Sequence, residues 1–199
     1  MPSTASAYAA FAADKPLAPH SLTRRDPGPD DVAIAIRFCG VCHSDIHFLR
    51  GEWGPIPYPA VAGHEIIGTV TAVGGNVSTH KVGDTVGVGC MIDSCRSCGS
   101  CRESLENYCT GGLVGTYGMG FDKYTGGPTY GGYSSAIVVD KDFVLRIPSN
   151  LDPAATAPLL CAGITTWSPL RHWNVGSNSV VGVVGLGGVI GGQSTGCTE

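Results

Sequence analysis

Apolar and polar positions alternate with period two in several short stretches, and turns rich in glycine and proline separate them. In residues 31–38, DVAIAIRF, Val32, Ile34, Ile36 and Phe38 alternate with smaller or polar residues, which predicts a half-buried strand. Residues 66–73, IIGTVTAV, predict a second strand, closed by the turn Gly74-Gly75-Asn76. Residues 81–88 read as a hairpin turn entering a third strand, and residues 136–139 and 143–147 as two more. Short strands between such turns suggest a small β barrel or sandwich.

Near Pro148 the pattern changes. Asp152-Pro153 supplies an N-cap and a first helical residue, and helical stretches are expected over 153–160 and 162–173. Gly176 breaks the chain before residues 179–184, SVVGVV, an almost continuously apolar run expected of a parallel strand buried on both faces. The expected organisation is one mainly β domain over residues 1–152 and the start of a second over 153–199.

Composition narrows the class. The chain of 199 residues is 43% hydrophobic and 14% charged, so it can bury a core. Its net charge is -4 and no run of Lys or Arg occurs, which argues against nucleic acid or an anionic membrane as partner. No stretch reaches the ~18 apolar residues of a membrane span, and the N-terminus lacks the basic flank of a secretory signal. A cytoplasmic location is expected. Nine cysteines in a reducing compartment point to metal ligands before disulfides.

Cys95-x2-Cys98-x2-Cys101-x7-Cys109 is the strongest local signal. Two-residue gaps let neighbouring thiolates converge on one ion, and the longer gap lets the chain loop back to close a tetrahedron. Four thiolates suit a structural zinc with no open position. An iron–sulfur cluster is the rival, but the last gap is longer than in the bacterial ferredoxin run, and Thr110 stands where that run has proline.

A second constellation is dispersed. Cys42-His43-Ser44-Asp45 follows the first expected strand, Gly63-His64-Glu65 precedes the second, and Cys161 lies between the two helical stretches. Two thiolates and one imidazole leave a fourth position open, the pattern of a catalytic zinc. Asp45 is a candidate acceptor for the His64 ring N–H, with a turn-forming role as the alternative. Ser44 and His47 are candidates to carry a substrate proton, or else polar loop residues. The deaminase pattern His-x-Glu with Pro-Cys-x-x-Cys fails, because His64 and Glu65 are adjacent and Ser94 precedes Cys95. The H-E-x-x-H protease motif fails at Gly68.

These residues carry a resemblance. Residues 39–70, CGVCHSDIHFLRGEWGPIPYPAVAGHEIIGTV, resemble the zinc-dependent medium-chain alcohol dehydrogenases, in their cinnamyl alcohol dehydrogenase-like branch. GVGCMIDSCRSCGSCRESLENYC, GGYSSAIVV, PLLCAGITTWSPLRHWNVG and VGVVGLGG match in order. The resemblance implies a mainly β GroES-like catalytic domain followed by the start of an α/β Rossmann domain. It implies two Zn2+ per chain, one on Cys42, His64 and Cys161 with Glu65 able to approach it, and one on Cys95, Cys98, Cys101 and Cys109. It implies Asp45 orienting His64, Ser44 and His47 as a proton relay, His43 at the cofactor pyrophosphate and Thr165 at the nicotinamide. Trp53 and Trp167 fall where the family lines its substrate pocket, with core packing as the alternative. The implied cofactor is NADP(H) or NAD(H), the implied substrate a small-molecule alcohol or aldehyde, and the implied full-length assembly a homodimer.

The match weakens at the C-terminal end. Gly185, Gly187 and Gly188 fit the phosphate turn, but Ile190 stands where the branch has glycine. Too few residues follow Ser179 for a βαβ unit of ~30. The expectation is therefore a zinc-dependent alcohol or aldehyde oxidoreductase whose chain is a truncated product or a fragment. The alternatives are a truncated zinc-binding module without dehydrogenase turnover and, third, hydrolysis by zinc hydroxide. Sheet edges left by truncation are expected to promote association.

Overall fold

The computed structural model describes residues 3–184. A hairpin opens the chain: β1 (Ser3–Ala9) pairs antiparallel with β2 (Ala18–Arg24), Ala9 opposite Ala18. Its inward residues Ala5, Ala7 and Ala9 are buried against Leu22 and Val61. The sequence pattern did not reveal this hairpin, because alanine alternating with serine and threonine gives little hydrophobic contrast.

The main sheet contains β3 (Asp31–Cys39), β4 (Ile66–Val73), β5 (Thr85–Val88), β8 (Ala136–Asp140) and β9 (Leu145–Arg146), in the order β8-β3-β4-β5-β9. Every pair is antiparallel. Alternation does the folding here. Val32 and Ile34 of β3, Ile66 and Val70 of β4, Val86 and Val88 of β5, and Ile137 and Val139 of β8 form one buried cluster. Each such side chain contributes about 1.5–3 kcal/mol when fully buried. Between β5 and β8 lies a separate lobe holding β6 (Met91–Asp93), the one-turn helix α2 (Gly99–Arg102) and β7 (Val114–Gly115), with β6 and β7 paired. A short helix, α1 (His43–Leu49), follows β3 directly.

Three expectations change. Over residues 143–147 only Leu145–Arg146 is strand. Asp140 accepts from the Asp142 N–H and caps a 3-10 turn, Lys141–Phe143, which diverts the backbone before β9. The stretch 153–160 is helical in two pieces, α3 (Pro153–Thr156) and a 3-10 turn (Ala157–Leu160). Pro158 lacks the N–H that an unbroken α-helix would require there. Asp152 caps α3 as the sequence suggests, accepting from the Ala155 N–H at 2.8 Å, and α4 (Ala162–His172) follows. Residues 179–184 do not form the buried strand: Val180 and Val184 are fully exposed, with no ladder neighbour among the described residues. Gly185, Gly187 and Gly188 lie outside the described residues.

Candidate metal centre

Strand pairing brings the dispersed residues together. Cys39, the last residue of β3, pairs with Ile66, the first of β4. Cys42, just beyond β3, and His64, just before β4, therefore leave the same end of the sheet. Gly63 turns the chain into His64 with φ +98, a backbone state that favours glycine. A Cβ there would sit 2.8 Å from both Cys39 Sγ and a Tyr133 ring carbon. Cys161 arrives on the 3-10 turn, whose Leu160 rests on Gly87 of β5; a Cβ on Gly87 would lie 3.0 Å from Leu160 Cδ1. One ligand atom each from Cys42, His64, Glu65 and Cys161 then lies within 4.8 Å of the other three.

Asp45 organises the cluster. Its Oδ1 accepts from the Gly63 N–H at 3.0 Å and lies 3.2 Å from His64 Nδ1. Its Oδ2 accepts from the Cys42 N–H at 2.9 Å and from the Tyr133 hydroxyl at 2.8 Å. Burial opposes its charge, but His64, the neighbouring Tyr117 hydroxyl and the Cys42 N–H outweigh burial and hold the carboxyl at about 2. Burial likewise opposes charge on His64, yet Asp45 and Cys161 raise it to about 10. Cys161 is pushed up to about 12, first by its contact with Cys90 and also by burial, against the pull of His64. Cys90, which the sequence reading passed over, is lowered by the same contact, against burial.

The residues present fit a divalent, borderline-soft cation. Two sulfurs and an imidazole are its preferred donors. Surroundings that raise His64 favour positive charge at this point. Burial raises the carboxyl of Glu65, and its Oε2 is buried without a protein partner. A cation would satisfy that oxygen.

Beside the cluster, Ser44 and His47 sit at i and i+3 of α1, on one helix face. His47 Nδ1 hydrogen-bonds the Glu52 carboxylate, and Glu52 was invisible to the sequence reading because nothing in its spacing marks it. The His47 ring lies 4.7 Å from His43 and 5.3 Å from Trp53. Trp53 is 67% exposed, so it joins this ring stack at the surface and not the core. Trp167, 54% exposed on α4, lies under the Arg171 guanidinium. Thr165 is exposed on the same helix and donates its N–H to the Cys161 carbonyl at 3.0 Å.

Cys95, Cys98, Cys101 and Cys109 also bring their sulfurs within 4.8 Å of one another. The Cys98 N–H donates to Cys95 Sγ at 3.3 Å and the Cys95 N–H to Cys109 Sγ at 3.4 Å. Backbone N–H groups of Cys101 and Thr110 lower the Cys98 thiol to about 5, the direction a thiolate ligand needs. A groove of ≈ 1190 Å³ between the β1–β2 hairpin, β3 and α1 touches the first cluster at Asp45 and at none of its four donor residues.

A family model for the alcohol dehydrogenase GroES-like domain matches residues 28–149. The chain belongs to this family. This alcohol dehydrogenase domain is 60% identical over 188 residues to NADP-dependent alcohol dehydrogenase C 1 of Mycolicibacterium smegmatis, covering 94% of this chain and 53% of that protein. It is 54% identical over 184 residues to aldehyde reductase YahK of Escherichia coli, covering 92% and 52%. Among solved structures it is similar to the CAD of Helicobacter pylori complexed with NADP(H), with TM-score 0.92, 43% identity, and 96% of this chain and 55% of that one covered. A cinnamyl alcohol dehydrogenase of Sorghum bicolor gives TM-score 0.90 at 47% identity, covering 94% and 53%. The chain thus spans about half the length of the relatives it matches. Its fold is the mainly β GroES-like domain that the sequence implied, and no helix among the described residues is long and apolar enough to cross a membrane.

Proposed function

We propose that this chain carries the zinc-holding part of an alcohol or aldehyde oxidoreductase, with residues 1–152 as the catalytic domain and 153–199 as the start of a cofactor domain. The reaction is hydride transfer between a nicotinamide cofactor, NADP(H) in preference to NAD(H), and a primary alcohol or aldehyde. The observation that carries this reading is the meeting of Cys42, His64 and Cys161, from three distant segments, beside the orphaned oxygen of Glu65. The preference for NADP(H) is supported by the NADP-dependent alcohol dehydrogenase of Mycolicibacterium smegmatis and the NADP(H) complex of the Helicobacter pylori CAD.

Cys42, His64 and Cys161 would hold one zinc, with Glu65 as an exchangeable donor, and Cys95, Cys98, Cys101 and Cys109 a second. When bound in the first site, zinc supplies polarisation of an alcohol or carbonyl oxygen. Asp45 fixes the His64 ring. Ser44 receives the alcohol proton and His47 passes it towards solvent, its Nδ1 held by Glu52 so that Nε2 is the exchanging atom. By resemblance His43 would serve the cofactor pyrophosphate, Thr165 the nicotinamide, and Gly185, Gly187 and Gly188 the phosphate turn. Trp53 and Trp167 offer apolar walls to the substrate body. The cytoplasm, where thiols stay reduced, suits both clusters, and a homodimer follows from the resemblance.

The test is reduction of cinnamaldehyde or benzaldehyde with NADPH and NADH, alongside fluorescence titration of NADPH. Turnover abolished by Cys42→Ala and by His64→Ala supports the assignment, and turnover that survives either change sinks it. Two bound zincs without NADPH binding would instead identify the chain as a metal-binding module.

A further inference from the structure

We propose that Tyr117 is a positioning residue for His64: its hydroxyl accepts the Nδ1–H of the imidazole and donates to Asp45. The proposal rests on the reading of His64 as a metal ligand. Tyr117 lies two residues beyond β7 and 53 positions from His64 in sequence. Its hydroxyl is 2.9 Å from His64 Nδ1, closer than Asp45 Oδ1 at 3.2 Å. Its ring packs on Phe48 of α1, centroids 4.7 Å apart, so the phenol is anchored to the helix that carries Asp45 and begins at Cys42.

The arrangement has a chemical reason. An imidazole that gives one nitrogen to a metal must keep its proton on the other, and that proton needs an acceptor. Asp45 has about four lone-pair positions. The N–H groups of Gly63 and Cys42 and the Tyr133 hydroxyl already take three. The Tyr117 oxygen keeps a lone pair for Nδ1–H while its own proton goes to the one remaining carboxylate position, so the charge of Asp45 reaches His64 through a phenol. Tyr133 differs: its hydroxyl donates to Asp45 Oδ2 at 2.8 Å, the oxygen other than the one nearest the imidazole.

The experiment uses the whole zinc-loaded chain with Tyr117→Phe and Tyr133→Phe. Phenylalanine keeps the ring on Phe48, so a role in packing alone would survive the change. Competition with a chromophoric chelator should show zinc at the His64 site held about 10–100-fold more weakly in Tyr117→Phe. The four-cysteine zinc should be unchanged, and Tyr133→Phe should weaken the His64 site less. The His64 Nδ1–H resonance in ¹H–¹⁵N spectra should move in Tyr117→Phe. Affinity within twofold of the parent with an unmoved resonance overturns the proposal. Should Tyr117→Phe not fold, the parent protein decides: a cross-peak between the His64 Nδ1–H and Tyr117 protons supports the contact, and its absence refutes it. A parent chain holding zinc only in the four-cysteine lobe would instead bring down the metal reading of His64, and this proposal with it.

Discussion

The sulfurs of Cys42 and Cys161 stand 3.9 Å apart although 119 positions separate them in the chain. Strand pairing delivers the first, through β3, and a turn packed on β5 delivers the second. Removing either thiol should therefore empty one site without touching the other. The purified chain is expected to contain about two zincs, and Cys42→Ala or Cys161→Ala about one, by elemental analysis after gel filtration. Two zincs in both variants would show that these sulfurs hold none.

The four-cysteine lobe should behave as its own unit. Its thiols bond one another and nearby backbone N–H groups. Cys98→Ser is expected to release one zinc and to open residues 93–112 to protease, because metal binding and folding of such a loop are one event. Hydrogen exchange in β3 and β4 should remain slow. Collapse of the whole sheet would contradict this independence.

Ile34 is 1% exposed at the centre of the main cluster. Ile34→Ala should cost about 2–5 kcal/mol, the usual range for such a cavity. Urea unfolding of the zinc-loaded chain measures it. A cost under about 1 kcal/mol would mean that the sheet relaxes around the gap.

Arg25 joins two carboxylates, Asp31 at 2.5 Å and Asp122 at 3.1 Å. Asp31 is fully buried, so Arg25→Met should cost about 3–5 kcal/mol by stranding its charge. Burial would raise Asp122, but the N–H of Thr125 and the Arg25 guanidinium prevail and lower it from 3.8. A lowered folded pKa means stability present above the unfolded value and lost as pH falls through the folded one. The urea midpoint should therefore drop below about pH 4, and less steeply in Asp122→Asn. Equal slopes in parent and variant would remove Asp122 from the acid response.

The features legible in the sequence were local. Residues 66–73 are rich in isoleucine, valine and threonine and end at the turn Gly74-Gly75-Asn76, and the observed strand has those bounds. The spacing of Cys95, Cys98, Cys101 and Cys109 confines four sulfurs to one loop whatever surrounds it. Ser3–Ala9 escaped notice because its buried residues are alanines. Tyr117, Tyr133, Glu52 and Cys90 escaped because no interval in the chain relates them to their partners. Residues 179–184 show the converse: an apolar run names a candidate strand, but a ladder neighbour must be present to make it one.

By itself the sequence determined which side chains have metal-binding chemistry and which stretches can bury one face, since both follow from residue type and short-range period. Tertiary structure alone decided that Cys42, His64 and Cys161 share one point and that two tyrosines close around Asp45. Those contacts depend on the register of β3 against β4 and on the seat of Leu160 over Gly87, and register and packing are properties of the assembled sheet, not of any segment of it.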